Sequence, residues 1–243
     1  MPEASSLSTA ALSRRTFLGS AGVLTATAML LTACGDDPVK PATGTPGLEL
    51  GSGDAGLLSY VFLLKRFATG FYQAALTTPA ADLTAADLAI LRDVNRHEII
   101  HREMLVQVFQ KNSLVDAPTI GLLQGVAFTY PTATFTITTR QGVLAGARLI
   151  EDLSVAALAG TAKLVTSSVV YFPLLMKMLA VDSRHAATMR DLVQPGSFAG
   201  PDAVASTGSQ AGLNQILTPA AALTELNKYT NGVILTGNSL PTT

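Results

Sequence analysis

The stretch Leu91-Arg92-Asp93-Val94-Asn95-Arg96-His97-Glu98-Ile99-Ile100-His101-Arg102-Glu103-Met104-Leu105 decides how the chain folds. Alternating steps of three and four place Leu91, Val94, Glu98, His101, Leu105 and Val108 on one helix face. Most of that face is apolar, so it belongs in a core. Glu98 and His101 interrupt it at the centre. A lone buried charge costs several kcal/mol unless it is paired or binds a metal. The stretch therefore predicts a helix whose core face carries a compensated polar centre.

Three further segments repeat the pattern. Leu58, Val61, Lys65, Ala68, Tyr72 and Ala75 form one seam; Leu144, Ala147, Glu151, Ser154 and Leu158 form another. Leu175, Met178, Asp182, His185, Met189 and Leu192 form the last. Each seam is apolar except for a charged residue near its middle, and two add a histidine three residues later. Residues three apart share a helix face, so Glu98 with His101, and Asp182 with His185, can each reach one point in a core. Met178 and Met189 read as core filler, and Arg148 and Asp152, flanking their seam, as solvated.

The predicted helices cover Asp54–Leu76, Thr84–Lys111, Thr139–Thr166 and Phe172–Val193. Thr84 is placed to cap the second, with Asp87 in its first turn. Pro173 suits a first turn and Pro195-Gly196 a stop. Short connections join the first and second helices, and the third and fourth, as in antiparallel neighbours. The long link from Asn112 to Thr138 suits a crossover along the bundle, with extended pairing around Phe128–Pro131 and Thr134–Ile137. A short helix near Pro219–Tyr229 is expected to pack outside. The expectation is an all-α four-helix bundle over residues 54–193, with a long crossover and a C-terminal extension over 194–243. Hydrophobic content of 48% with 6% aromatic residues agrees with packed helices. A formal net charge of −1 without a basic stripe argues against a nucleic-acid partner.

The N-terminus reads as an address. Ser13-Arg14-Arg15-Thr16-Phe17-Leu18 is a twin-arginine export signal, followed by an apolar run from Ala21 to Leu31 that is short for a bilayer span. Leu31-Thr32-Ala33-Cys34 resembles the lipobox of bacterial lipoproteins, which implies cleavage after residue 33 and a lipid on Cys34. This lone cysteine excludes an intramolecular disulfide. Residues 34–53, rich in Pro, Gly and Thr, read as a flexible tether. The expected location is extracytoplasmic, in the periplasm or cell envelope, with the membrane as partner through Cys34. No motif names a protein partner or a substrate.

The helices resemble the ferritin-like domain family, in particular its branch named after desiccation-related plant proteins. The resemblance rests on Leu58-Ser59-Tyr60 through Phe71-Tyr72, on His97-Glu98-Ile99-Ile100-His101, on Glu151-Asp152-Leu153-Ser154-Val155-Ala156-Ala157 and on Asp182-Ser183-Arg184-His185-Ala186-Ala187. It implies a metal site with Glu98, His101, Glu151, Asp182 and His185 as ligands, and a stress-related role. In that fold, carboxylates on all four helices hold two irons or manganeses. Here Lys65 stands where the family pattern has a ligand glutamate. Three carboxylates and one ammonium leave charge for a single divalent ion (Fe, Mn or Zn), or for none if both histidines are protonated. Two-iron ferroxidase activity is therefore not expected. Two alternatives belong to other classes. One is a non-enzymatic envelope scaffold whose cluster is a polar core network. The other is a zinc peptidase using His97-Glu98-x-x-His101, an H-E-x-x-H motif.

Overall fold

A computed structural model describes residues 46–242. The export signal, Cys34 and the tether up to residue 45 lie outside the described residues. Four long helices dominate: α1 (Gly53–Thr77), α2 (Ala85–Lys111), α4 (Arg140–Ala162) and α5 (Tyr171–Val193), with two shorter ones, α3 (Ala117–Gly125) and α6 (Pro219–Asn227). Short strands β1 (Gly47–Glu49) and β4 (Ile234–Thr236) pair in parallel, and β2 (Ala127–Phe128) pairs antiparallel with β3 (Thr230–Asn231). None of the helices among the described residues is long and apolar enough to cross a membrane.

Contacts between helix ends fix the directions. Asp87, in the first turn of α2, accepts from Arg140 at the start of α4 through Nε (2.7 Å) and Nη2 (2.9 Å). Asp54, in the first turn of α1, accepts from the Thr166 and Ser167 amides just past α4 (2.7 and 3.0 Å). Thus α2 and α4 run parallel, and α1 runs antiparallel to both. Thr84 caps α2 as expected. Its side chain accepts from the Asp87 amide while the Asp87 carboxylate accepts from the Thr84 amide, a reciprocal capping box.

Helix α1 is buried from Leu57 through Lys65 without a break, so it is enclosed on all sides rather than along one stripe. The bundle supplies part of the cover, and the crossover and tail supply the rest. Phe67 stacks between Tyr130 (5.5 Å) and Tyr229 (5.0 Å), and Phe135 sits 5.5 Å from Phe71. The Tyr130 hydroxyl donates to the Phe67 carbonyl at 2.7 Å.

Several expectations need correction. The crossover contains α3, capped by Asp116 with Pro118 in the first turn. Only Ile120 and Leu123 of α3 are buried, too few for a periodic signal. The extended pairing near Phe128 is with the C-terminal tail, and Thr134–Ile137 forms turns. The tether is shorter than residues 34–53, because Gly47–Glu49 pairs with β4 and Leu50 is buried. Arg148 and Asp152 are not solvated bystanders. Buried Arg190 donates to both oxygens of Asp152 (2.7 and 2.8 Å) and to Asp202, and Arg148 also pairs with Asp202. This network clamps the C-terminal extension onto α4 and α5.

The Asp87 carboxylate combines a helix cap with a tie between α2 and α4. Hydrogen bonding to Arg140 holds its pKa below the usual carboxylate range, against the opposing effect of burial. Its stabilisation is present above the unfolded value of about 3.9 and is lost as pH falls toward the folded one. Asp87→Ala should cost about 1–2 kcal/mol at neutral pH, most of it from the lost cap. Urea unfolding at pH 7 showing a loss under about 0.5 kcal/mol would mean that this tie contributes nothing.

Candidate metal centre

The charged residue at the middle of each seam meets the others in one buried layer. Lys65, Glu98, Glu151 and Asp182 are each fully enclosed, and His101 and His185 are 7% and 6% exposed. The Lys65 ammonium donates to Glu98 Oε2 at 2.9 Å, to Asp182 Oδ2, and to Ser154 Oγ at 3.4 Å. The Tyr72 hydroxyl donates to Glu151 Oε1 at 2.7 Å. Every carboxylate therefore has one oxygen held by an internal donor.

The other oxygen of each is free. Glu98 Oε1, Glu151 Oε2 and Asp182 Oδ1 have no hydrogen-bond partner, and neither do His101 Nδ1 and His185 Nδ1. Yet these atoms lie close together. His101 Nδ1 is 3.5 Å from Glu98 Oε1 and 3.3 Å from Asp182 Oδ1. His185 Nδ1 is 3.4 Å from Glu98 Oε1 and 3.5 Å from Glu151 Oε2. Charge-assisted hydrogen bonds are about 2.7–2.9 Å long, so these separations are too wide and misaligned for direct bonding. Donors bound to one cation at about 2.0–2.2 Å lie about 2.8–3.6 Å apart, depending on coordination number. Ligand atoms of Glu98, Glu151, Asp182 and His185 all fall within 4.8 Å of one another. These four fit a single divalent ion in spacing and in donor type, whereas His101 stands beside Glu98 and Asp182 and is not within that distance of all four.

They do not fit two. Lys65 occupies the other side of the layer and uses the oxygens of Glu98 and Asp182 that a second ion would need. Burial alone would pull the Lys65 pKa down, but Asp182, Glu98 and Glu151 outweigh it, and the group is held above its ordinary value. Burial likewise opposes ionisation of Glu98, and Lys65 with the two histidines overcomes this, keeping its pKa well below the usual range. Burial and the Glu98 charge push Glu151 up to about 7. His185 is raised to about 9 despite burial, by the adjacent Glu151 and Glu98 carboxylates. His101 is raised by Asp182 and Glu98 against the same penalty.

The structure brings together all the residues expected to meet: Lys65, Glu98, His101, Glu151, Asp182 and His185. Tyr72 and Ser154, members of the seams, are partners that the charge pattern alone does not single out; a hydroxyl one or two turns from a seam charge is the signal that marks them. His97 corrects the H-E-x-x-H reading. It faces outward, and its Nδ1 lies 3.0 Å from the outer Nε2 of His185, with the rings 5° from parallel. It does not join His101 around the centre. With an ion bound, a neutral His185 donating from Nε2 to His97 would present its Nδ1 lone pair to the ion, so His97 acts as an orienting partner.

The family described as Ferritin-like domain matches residues 53–195, from the start of α1 to just past α5. No curated protein and no solved structure matches the chain.

The raised pKa values fix how the metal-free centre responds to pH. The His185 proton stabilises fully below the unfolded imidazole value of 6.5, and this contribution is lost as pH rises through about 9. Glu151 acts in the same direction, losing its contribution between 4.5 and about 7. In a chelator, stability should fall from pH 6 to pH 9, on the order of 3 kcal/mol from His185 alone. Thermal melts that are flat or rising over that range would contradict the assigned protonation.

Proposed function

Because the chain belongs to the ferritin-like domain family, we propose that it is an exported, lipid-anchored member whose centre holds one divalent cation, with Lys65 in place of a second. Glu98, Glu151, Asp182 and His185 would hold the ion, with His101 beside Glu98 and Asp182; the ion would supply Lewis-acid character, and one-electron chemistry if it is iron or manganese. The observation carrying this reading is the division of each carboxylate. One oxygen is engaged by Lys65 or Tyr72, and the other is left unpartnered beside two unpartnered imidazole nitrogens.

Charge agrees with geometry. Three carboxylates and the Lys65 ammonium sum to −2, which a single divalent ion neutralises when both imidazoles are neutral. Two-iron ferroxidase chemistry needs a second cation where the ammonium stands. Tyr72 anchors Glu151, Lys65 anchors Glu98 and Asp182, and His97 holds the His185 ring from outside, so the side chains are in position before any ion arrives. Placement in the desiccation-related branch, with a stress-related role, rests on the four helix motifs. Export and anchoring rest on Arg14-Arg15 and on Leu31-Thr32-Ala33-Cys34. The competing scaffold reading differs in one measurable respect, metal content.

Metal analysis of the chain equilibrated with excess Mn, Fe or Zn at pH 8 should find one ion per chain, and Lys65→Glu should raise this to two. No bound ion in either form would make the cluster a structural network. Two ions in the unaltered chain would remove the assigned role of Lys65. Binding must also displace a proton from His185 and, in acid, from Glu151. Affinity should therefore rise at least about tenfold between pH 6 and pH 8, with proton release measurable by calorimetry in buffers of different ionisation enthalpy. A pH-independent affinity would mean that these groups are not ligands.

A further inference from the structure

Two long segments almost free of charge converge on one part of the surface. Asn112–Thr139 contains a single charged residue, Asp116, and Tyr229–Thr243 contains none. At the chain's overall 14% charged content, the two segments would carry about six. The β2–β3 pairing joins them, and the Ile234 amide donates to the Pro46 carbonyl at 2.9 Å. A groove of about 380 Å³ lies between them, lined by Pro46, Leu48, Leu122, Val126 and Val233 among others, with no charged residue in its wall. Leu122 is 60% exposed and Ile234 46%. The nearby carboxylates are already engaged: Asp116 caps Thr119, and Glu49 accepts from Asn238 and Ser239.

We infer that this uncharged face, formed by α3, the β2–β3 pair and the entry at Pro46, rests on the lipid bilayer. The inference depends on the lipid-anchor reading above. Pro46 is both the wall of the groove and the first described residue after the tether. Cys34 lies twelve residues upstream, so a fully extended chain holds Pro46 within about 40 Å of a lipidated cysteine. Such confinement keeps the face at high effective concentration at the membrane, and a weak apolar contact then suffices. Anionic lipid surfaces repel acidic faces, and the wall of this groove holds no carboxylate, Asp116 and Glu49 lying at its border. Leu122 and Ile234 supply apolar side chains suited to the interfacial region. Docking here fixes the orientation of the bundle, and with it the direction in which His97 and the metal centre face.

The full acylated chain is reconstituted in phosphatidylglycerol-containing vesicles, with a fluorophore on L122C or I234C and a control on exposed α5 at R184C; the lipid on Cys34 blocks its labelling. Doxyl-labelled lipid should quench positions 122 and 234 about twofold or more, and position 184 far less. Adding L122D should abolish quenching at position 234 while flotation with the vesicles persists. Flotation with equal, weak quenching at all positions overturns this inference and leaves the anchor intact. Shielding of position 122 from aqueous iodide before vesicles are added also overturns it, since the tether or a second copy then covers the face. Failure to float removes the anchor reading and this inference with it.

Discussion

The Lys65 ammonium sits fully enclosed between the carboxylates of Glu98 and Asp182, with the Ser154 hydroxyl as a third acceptor. The three N–H groups of a lysine have no other outlet at that depth, and no other lysine or arginine among the described residues pairs with either carboxylate. Removing any one of these groups leaves a charge stranded in low dielectric, which costs several kcal/mol. Helices α1, α2, α4 and α5 are therefore held in register by electrostatic satisfaction as well as by apolar packing. Apolar contacts tolerate small slips; a three-way ion network at the centre tolerates far fewer.

Depth is what makes this network strong, and depth comes from the outer layer. Helix α1 carries Lys65, and α1 is covered by more than its bundle neighbours. The aromatic group of Phe67, Phe71, Tyr130, Phe135 and Tyr229 draws the crossover and the C-terminal tail over it. Arg190, bonded to Asp152 and Asp202, fastens the extension against α4 and α5. Segments that look peripheral along the chain thereby keep water from the centre. That exclusion accounts for Glu151 being pushed to about 7 and for the strong mutual influence of the buried groups. The same cover leaves His185, backed by outward-facing His97, among the few points where the layer approaches solvent.

Much of this was legible before folding was considered. Leu91, Val94, Glu98, His101 and Leu105 repeat at helical spacing, and so do the three other seams, because a helix converts steps of three and four into a single face. Thr84 and Asp87 announced the start of α2 through cap chemistry confined to one turn. Helix α3 was not legible: its nine residues bury only Ile120 and Leu123, and its ends depend on Asp116 and on packing against α1. Pairing of β2 with β3 was equally hidden, since the partners are about a hundred residues apart. The pairing of Arg190 with Asp202 exists only because the C-terminal extension folds back onto α5.

Local chemistry along the chain determined four core helices, the charge interrupting each, and the spacing that sends Glu98 with His101 and Asp182 with His185 toward one point. Those properties depend on neighbours within one turn, which sequence displays directly. Tertiary structure alone decided which oxygen of each carboxylate is engaged and which is free, that Tyr72 and Ser154 complete the layer, and that His97 backs His185 instead of joining His101. These outcomes depend on rotamers and distances between separate helices. They follow only after four faces have been brought together and every buried donor and acceptor has competed for the same few partners.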